Sequence, residues 1–301
     1  MKMIGWGHTD TGRKRSHNED SLLIDDRIGL FAVADGMGGH RGGATASRMA
    51  LEIMRRHLSV AIDNLPAVAA QIEADRRIEI ASTQNLGEAS DLDTVPALRL
   101  RFQRAQTLGA SDDADTEVDL RYPPALTVMQ AAAQEAGFEI FDAALADVSL
   151  RGMGTTLTAM LYHAGRMYLV HAGDSRAYLF RNGRLEQLTE DHTWIAEQIR
   201  SGAMSEAEAR SSKYRHIITR SVGFERDVEL DTLRITIEPG DCFVLCSDGL
   251  SNNLSTDEMQ QILAHGWFRR TPTAMIDLAN EHGGDDNITA VVVHAVNHSG
   301  G

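Results

Sequence analysis

The stretch that most constrains the fold is a ten-residue segment, residues 31–40, which reads Phe-Ala-Val-Ala-Asp-Gly-Met-Gly-Gly-His. Its apolar half is typical of a buried strand, and the residues that follow place Asp35 at the edge of a sheet. The glycines allow a sharp turn, and they leave the Gly36 carbonyl free to approach a ligand because no side chain stands in the way. Alone, the segment is equally compatible with a structural turn and with an active site.

Composition limits the class of protein. The chain has 301 residues, of which 43% are hydrophobic, enough for one large or two small globular domains. The formal net charge of −14 argues against nucleic acid as a partner, because binding to a phosphate backbone needs a basic face. No apolar run approaches the roughly 20 residues of a membrane helix, and the only two cysteines, Cys242 and Cys246, suit a reducing compartment. We therefore expect a soluble, cytoplasmic protein that has no membrane contact.

Strand and helix signals occur along most of the chain. Alternating or continuous apolar runs between turn residues predict strands at about residues 3–9, 21–25, 28–34, 155–163, 167–172, 176–181, 184–188, 231–237, 241–247 and 288–296. Helical spacing of apolar residues or strong helix-forming composition predicts helices at about residues 44–62, 125–147, 192–211, 255–264 and 272–281, the third of them interrupted near Gly202.

Residues 63–124 differ from the rest of the chain. The segment has more acidic residues than arginines, contains four prolines and includes an acidic run at 111–117. Two pieces, 68–80 and 98–108, have the pattern of amphipathic helices. We expect a partly helical insertion.

An acid on a tight turn beside an apolar strand is a recurring pattern, and most such acids are simply turn formers. It occurs at Asp35-Gly36, Gly173-Asp174, Asp248-Gly249 and Gly283-Gly284-Asp285-Asp286, and Glu19-Asp20 in the first polar loop add to the set. Together these acids suggest several carboxylates that converge at one edge of a β core. Converging carboxylates repel each other unless cations lie between them, and an all-oxygen ligand set favours Mg²⁺ or Mn²⁺ over zinc. Two such ions about 3.5 to 4 Å apart can share a hydroxide and hold a phosphoryl group for in-line attack.

Seven segments, in this order, resemble the motifs of the bacterial metal-dependent type 2C protein phosphatases (the PPM family). They are residues 15–20 (RSHNED), 35–40 (DGMGGH), 152–157 (GMGTTL), 172–177 (AGDSRA), 219–223 (TRSVG), 247–250 (SDGL) and 284–289 (GDDNIT). The resemblance spans nearly the whole chain. It implies an α+β fold in which a central β-sandwich of two antiparallel sheets is flanked by helices. It also implies a single phosphatase domain over 1–301, with the insertion at about 63–124 atypical and a flap at about 195–224.

The resemblance also implies roles for individual residues. Asp35 would bridge two metal ions, Asp248 and Asp286 would hold the first, and Glu19 and the Gly36 carbonyl would serve the second, directly or through water. Asp174, with Asp248, matches the place where bacterial relatives bind a third, weaker metal.

Three further residues are candidates for catalysis. Asp20 would orient metal-bound water, and Arg15 matches the phosphate-binding arginine, whose planar fork suits two phosphate oxygens. Animal members have a histidine directly after the Asp-Gly pair as a candidate general acid, whereas Met37 holds that place here. His40 as general acid is therefore a hypothesis, beside a purely structural role for this residue and proton donation by metal-bound water.

The activity expected from the resemblance is metal-dependent hydrolysis of phosphoserine and phosphothreonine in proteins, by direct attack of a metal-bridging hydroxide and without a phosphoenzyme. The expected partners are a bacterial serine/threonine kinase and its targets, and the chain is expected to be a monomer. Two alternatives stay open. One is a catalytically inactive relative that binds phosphoproteins or kinases, and the presence of Asp35, Asp248 and Asp286 argues against it. The other is a metal-dependent phosphatase for small molecules.

Overall fold

Two β-sheets form the centre of the protein. The computed structural model describes residues 1–39, 41–85, 107–108, 123–205, 208–209, 212, 214 and 217–296. The first sheet contains, in spatial order, β1 (Lys2–Asp10), β13 (Ile288–Val296), β12 (Cys242–Cys246), β9 (Arg176–Arg181) and β10 (Arg184–Gln187). All of its neighbouring strands are antiparallel. The chain therefore builds this sheet from its two ends and its middle.

The second sheet lies across the sandwich from the first. Its strands, in spatial order, are β2 (Ser21–Asp25), β3 (Leu30–Ala34), β7 (Leu157–His163), β8 (Arg166–Ala172), β11 (Asp231–Thr236) and β5 (Thr107–Leu108). Every pair is antiparallel except β11 with β5, which is parallel. A short separate ladder joins β4 (Gly36–Met37) to β6 (Gly154–Thr155). The predicted sandwich of two antiparallel sheets is confirmed, with β5 as the parallel exception.

Strand β12 shows why the strands are apolar on both faces. Phe243 and Leu245 point into the space between the sheets, whereas Cys242, Val244 and Cys246 pack against the outer helices. Successive side chains of a strand point to opposite faces, so a strand covered on both sides needs a continuous apolar run. Both cysteines are buried free thiols, and burial raises the pKa of Cys246 to about 12.

Helices cover both outer faces of the sandwich. The second sheet is covered by α1 (Gly42–Ala61), α2 (Leu65–Asn85) and α3 (Pro124–Ala146). The first sheet is covered by α6 (Thr256–Ala264) and α7 (Thr271–Glu281), after the four-residue α5 (Asp248–Ser251). Helix α6 begins at a capping box in which Ser255 and Glu258 bind each other's backbone N–H groups. The flanking helices are thus confirmed.

Part of the predicted insertion packs against the core. The helix expected at 68–80 lies within α2, where Leu65 and Ala69 are buried beside the residues of α1 and α3. Of the helix expected at 98–108, residues 98–106 lie outside the described residues, and Thr107 and Leu108 form a strand instead. A two-residue strand carries no local sequence signal, so its pairing with β11 was not predictable.

Main-chain contacts join the two ends of the segment that follows β10, at residues 192–194 and 217–219. Helix α4 (Trp194–Arg200) begins at Thr193, whose hydroxyl accepts a hydrogen bond from the N–H of Ala196 (3.2 Å). Thr193 pairs with Ile218 in an antiparallel bridge, so the two ends of the segment run side by side. The prediction for 192–211 is a helical segment interrupted near Gly202, and helix α4 ends two residues before this glycine, whose φ of +75° is left-handed.

Within the described ranges, no helix combines the length and the apolar character that crossing a bilayer requires.

Substituting Phe243→Ala tests the packing between the sheets. The ring is fully buried between the two sheets, so its removal should lower the free energy of unfolding by about 3 to 5 kcal/mol. The measurement is urea denaturation with a chelator present. Val148→Ala is the control, because that side chain is 83% exposed, and a change below about 0.5 kcal/mol is expected there. Equal losses in the two variants would contradict this packing.

Candidate metal centre

Two of the predicted acids follow strands of the second sheet that run in the same direction without pairing with each other. Strand β7 is antiparallel to both β3 and β8, so β3 and β8 run in the same direction and end at the same edge. Asp35 follows β3 directly, and Asp174 follows β8 after one glycine. The topology alone therefore brings these two carboxylates to one edge.

The first sheet adds two more acids. Strands β12 and β13 are antiparallel, so the end of β12 lies beside the start of β13. Asp248 follows β12 and begins α5, and Asp286 stands just before β13. Asp20 precedes β2, whose first residue pairs with the last residue of β3. All five aspartates therefore lie at one end of the sandwich.

The charges of these acids act on each other. Burial and the negative charges of Asp20, Asp248, Asp174 and Asp286 hold the pKa of Asp35 well above its ordinary value. Burial, followed by the charges of Asp248 and Asp191, raises the pKa of Asp174 to about 7. A raised pKa in several neighbouring carboxyl groups means that the site disfavours its own negative charge. Such a group of acids is a ready site for positive charge.

Asp20 is the most buried of the five. Its Oδ2 accepts hydrogen bonds from the hydroxyls of Ser247 and Thr289, both at 2.7 Å. Burial nevertheless raises the pKa of Asp20 to about 7, assisted by the charges of Asp248 and Asp286. Its Oδ1 is buried and has no hydrogen-bond partner among the residues that the structure describes. A buried oxygen in this state requires a bound water or a cation.

The backbone around Asp35 is held by two threonines from β6 and the residue after it. The N–H of Asp35 donates to Oγ1 of Thr156 (2.8 Å), and its carbonyl accepts from Oγ1 of Thr155 and from the N–H of Thr156, both at 2.9 Å. Oγ1 of Thr156 also contacts the hydroxyl of Ser175 (2.8 Å), next to Asp174. One pair of threonines therefore supports both carboxylate turns, a role that the sequence analysis did not assign.

The Glu19 side chain and the Gly36 carbonyl both lie close to the α-carbon of Gly43. A Cβ atom placed on Gly43 would lie 1.9 Å from Oε2 of Glu19 and 2.8 Å from the carbonyl carbon and oxygen of Gly36. Only a residue without a side chain fits between them. The two oxygens expected at the second metal ion therefore line one small space.

Asn287 holds the first loop against the last turn, and the sequence analysis gave it no role. Its Oδ1 accepts from the N–H of Glu19 (2.8 Å), and its Nδ2 donates to the carbonyls of Thr11 and His17. The N–H of Asn287 donates to Oδ1 of Asp286 (2.8 Å). The amide thus sets the position of Glu19 relative to Asp286.

Arg15 lies at the rim of the site and is paired with a candidate ligand. Its Nη2 donates to Oδ2 of Asp286 at 2.7 Å, and the neighbouring Lys14 pairs with Asp285 at 2.5 Å. The prediction placed Arg15 on a phosphate and Asp286 on a metal ion. In the structure the guanidinium supplies the positive charge next to this carboxylate, and both of these roles stay predictions.

The donor set fits hard divalent cations. Among the described ranges no three Asp, Glu, His or Cys side chains close around a single point. The oxygen-only set, the partnerless Oδ1 of Asp20 and the space under Gly43 suit Mg²⁺ or Mn²⁺. His40 lies outside the described residues, and Met37 belongs to β4.

Comparison with known proteins identifies the family. A sandwich of two antiparallel sheets between helices, with acids gathered at one end, defines a class of oxygen-ligand metal proteins. A sequence model described as protein phosphatase 2C matches residues 7–289. The chain belongs to the protein phosphatase 2C family.

Relatives agree over nearly the whole chain. The serine/threonine phosphatase stp of Listeria innocua is 32% identical over 292 residues, which cover 95% of this chain and 93% of that protein. The serine/threonine protein phosphatase PstP of Mycobacterium tuberculosis is 31% identical over 294 residues, 97% of this chain but 45% of PstP. The chain therefore corresponds to nearly the whole of the first relative and to about half of the second.

Solved structures share the fold. The crystal structure of the serine/threonine phosphatase PstP/Ppp of Mycobacterium tuberculosis superimposes with a TM-score of 0.72 at 29% identity, covering 99% of this chain and 100% of that one. The catalytic domain of PstP in complex with two manganese ions has a TM-score of 0.70 at 28% identity, covering 98% and 99%.

The repulsion at Asp35 predicts an unusual effect on stability. The pKa of Asp35 lies above its ordinary value of 3.8, so the folded chain binds this proton more tightly than the unfolded chain does. The protonated group therefore favours folding fully below that value, and the contribution is lost as the pH rises. With a chelator at pH 8, Asp35→Asn should raise the free energy of unfolding, and the gain should shrink toward pH 5.

Urea denaturation at the two pH values measures this effect. Asp277→Asn on α7 is the control, because Asp277 is exposed and remote from the cluster, and no gain is expected there. An Asp35→Asn variant that is less stable than the wild type at pH 8 would contradict the repulsion.

Proposed function

We propose that this protein is a metal-dependent phosphatase that removes phosphate from phosphoserine and phosphothreonine in proteins. The observation that carries the proposal is the convergence of five aspartates at one end of the sandwich, with Arg15 at their rim. An acidic protein needs cations to take an anionic substrate, and this cluster supplies their ligands.

The residues would divide the ligand positions as follows. Asp35 would contribute to both ion positions, and the charges of the other four aspartates all act on it. Asp248 and Asp286 would hold the first ion. Glu19 and the Gly36 carbonyl would serve the second, directly or through water. The ions would be Mn²⁺ or Mg²⁺, and Asp174 with Asp248 would provide a third, weaker position.

Two divalent cations held in this way supply positive charge to the phosphoryl oxygens and activate a water molecule for in-line attack. Asp20 acts beside them, because its partnerless Oδ1 can accept a hydrogen bond from that water and orient it. Arg15 binds two phosphate oxygens with its planar guanidinium. The Gly36 carbonyl is kept accessible by Gly43.

The overall reaction is hydrolysis without a covalent enzyme intermediate. The oxygen of water bonds to phosphorus, the bond between phosphorus and the serine or threonine oxygen breaks, and the alcohol takes up a proton. His40 is the candidate donor of that proton, and a water molecule of the site is the alternative.

The substrates are phosphoproteins, including the targets of a serine/threonine kinase and the kinase itself. The domain acts as a monomer in the cytoplasm, as one phosphatase unit over 1–301 that includes the residue 63–124 segment and the flap at 195–224. The alternatives are a binding protein without activity and a phosphatase of small molecules. Comparing turnover of a phosphothreonine peptide with that of a sugar phosphate and a nucleotide separates them.

Asp248→Asn should abolish metal-dependent turnover. The wild type should hydrolyse a phosphothreonine peptide with Mn²⁺ or Mg²⁺ and not with a chelator. The variant should lose at least about 100-fold in kcat/KM, because the amide removes a charge from the ligand set. The exposed acid Asp257 gives the control variant Asp257→Asn, which should keep full activity. A folded wild type that is inactive with every metal would leave the binding protein as the better description.

Arg15→Ala should weaken substrate binding. Losing a charged, two-pronged contact to phosphate should raise KM for the phosphopeptide about tenfold or more. Lys14→Ala is a matched control, since the neighbouring lysine is also exposed and paired with the neighbouring Asp285. We expect Lys14→Ala to change KM less than about twofold. Equal effects of the two substitutions would contradict a specific role for Arg15.

A further inference from the structure

His192 lies at the junction between the Asp174 turn and the segment that follows β10. The residue is only 3% exposed. Its N–H donates to the carbonyl of Gly173 (2.8 Å), and its carbonyl accepts from the N–H of Thr219 (2.8 Å). The backbone of His192 therefore joins the residue before Asp174 to the far end of the segment.

The side chain of His192 binds the same glycine a second time. Its Nδ1 accepts a hydrogen bond from the N–H of Gly173 (3.1 Å). Both backbone polar groups of Gly173 are thus bound by one residue. Gly173 has a φ of +113°, and a Cβ atom there would lie 2.5 Å from the methyl group of Thr156. The glycine preceding Asp174 is therefore fixed between Thr156 and His192.

Asp231 fixes the ring of His192. The Nε2–H group donates to Oδ2 of Asp231 (3.1 Å), and the opposite carboxylate oxygen accepts from Nη1 of Arg220 (3.0 Å). Burial alone would raise the pKa of Asp231, but the hydrogen bond from His192 and the charge of Arg220 lower it overall. The ionised carboxylate holds the proton of His192 on Nε2 and leaves Nδ1 as the acceptor.

His171 packs against the other side of this ring, with 4.7 Å between the ring centroids. Burial and the neighbouring His192 lower its pKa to about 4, so it is neutral near pH 7. Its Nε2–H group donates to the carbonyl of Glu190 (3.0 Å), and its Nδ1 lies 2.9 Å from the hydroxyl of Thr158. Both ring nitrogens of His171 therefore have partners other than His192, and His171 supports His192 by packing alone.

We propose that His192 is a positioning residue that holds the Gly173–Asp174 turn in place through the acceptor Nδ1, and that Asp231 orients it. The consequence for catalysis rests on the proposed function, in which Asp174 is a ligand of the weakest metal position. Neither His192 nor Asp231 was among the residues for which the sequence indicated a role. The same hydrogen bonds tie the turn to Thr219 and Arg220, so the base of the 192–224 segment is part of this unit.

Two substitutions of His192 separate its two nitrogen atoms. His192→Asn keeps an oxygen near the position of Nδ1 and loses the reach to Asp231. His192→Gln keeps a donor near the position of Nε2 and loses the acceptor for Gly173. The two variants are similar in size and polarity, so a difference between them reports on the acceptor rather than on general loss of packing.

The first readout needs no metal and no activity. Hydrogen–deuterium exchange of the Gly173 amide is followed in a chelator by mass spectrometry with residue-level fragmentation. Exchange in His192→Asn should stay within about threefold of the wild type, whereas in His192→Gln it should be at least about tenfold faster. Equal exchange in the two variants would overturn the proposal.

The second readout is Mn²⁺ binding by titration calorimetry. The weakest binding step should be about tenfold weaker in His192→Gln, the lower end of the effect of residues that orient metal ligands, and unchanged in His192→Asn. The kcat for a phosphothreonine peptide should follow this affinity while KM changes little. Faster exchange together with unchanged Mn²⁺ affinity would overturn the role of His192 in positioning Asp174.

Asp231→Asn and Asp241→Asn form a matched pair. Both carboxylates bind an arginine close to the start of a strand, Arg220 for Asp231 and Arg181 for Asp241, but Asp241 lies away from the His192 unit. Only Asp231→Asn should accelerate exchange at Gly173. Acceleration in both would mean that general destabilisation is the cause and would overturn the proposal. A wild type without metal-dependent turnover would refute the proposed function while the exchange results still test the turn.

Discussion

Repulsion between carboxylates is the constraint on which the rest of the structure depends. Burial and the charges of neighbouring aspartates raise the pKa values of Asp20, Asp35 and Asp174, and a chain selected for stability alone would not gather these acids. The fold offsets this repulsion elsewhere, through two outer helical layers and a continuous apolar interior between the sheets. The acids thus lower the free energy of unfolding locally, and the packing of the rest of the sandwich compensates for this loss. Such a balance between stability and function is usual.

The hydrogen bonds that hold Asp35, Asp20 and the first loop come from neutral groups, whereas Arg15 pairs with Asp286 at the exposed rim. Thr155 and Thr156 bind the backbone of Asp35, the hydroxyls of Ser247 and Thr289 bind Asp20, and Asn287 fixes the first loop. Hydroxyl and amide groups set the position of a carboxylate while they leave much of its charge uncompensated. A ring of arginines would have neutralised the cluster and removed its affinity for cations. The choice of threonine, serine and asparagine therefore follows from what the site must bind.

Local sequence pattern was sufficient for the strands and for the edge where the acids meet. An apolar run that ends in an acid and a glycine predicts both a strand and its direction, and antiparallel order then brings the ends together. A local sequence pattern does not predict which residues far apart in the chain form hydrogen bonds with each other. Thr156 and Asp35 are 121 positions apart, and Asn287 and Glu19 are 268 apart. The apolar spacing of residues 68–80 did predict the amphipathic helix that lies within α2, whereas no local pattern indicated the bonds of His192 to Gly173 and Asp231.

The ion pair between Arg15 and Asp286 is weak, so it leaves Asp286 available to a cation. The two side chains are 54% and 34% exposed, and an exposed pair of this kind contributes about 0 to 1 kcal/mol. A cation or a phosphate group can therefore displace either partner at little cost. Asp286 is restrained from the other side by the N–H of Asn287, so its position does not depend on Arg15. The guanidinium can thus leave the carboxylate for a phosphate group without disturbing the residues that surround the metal centre.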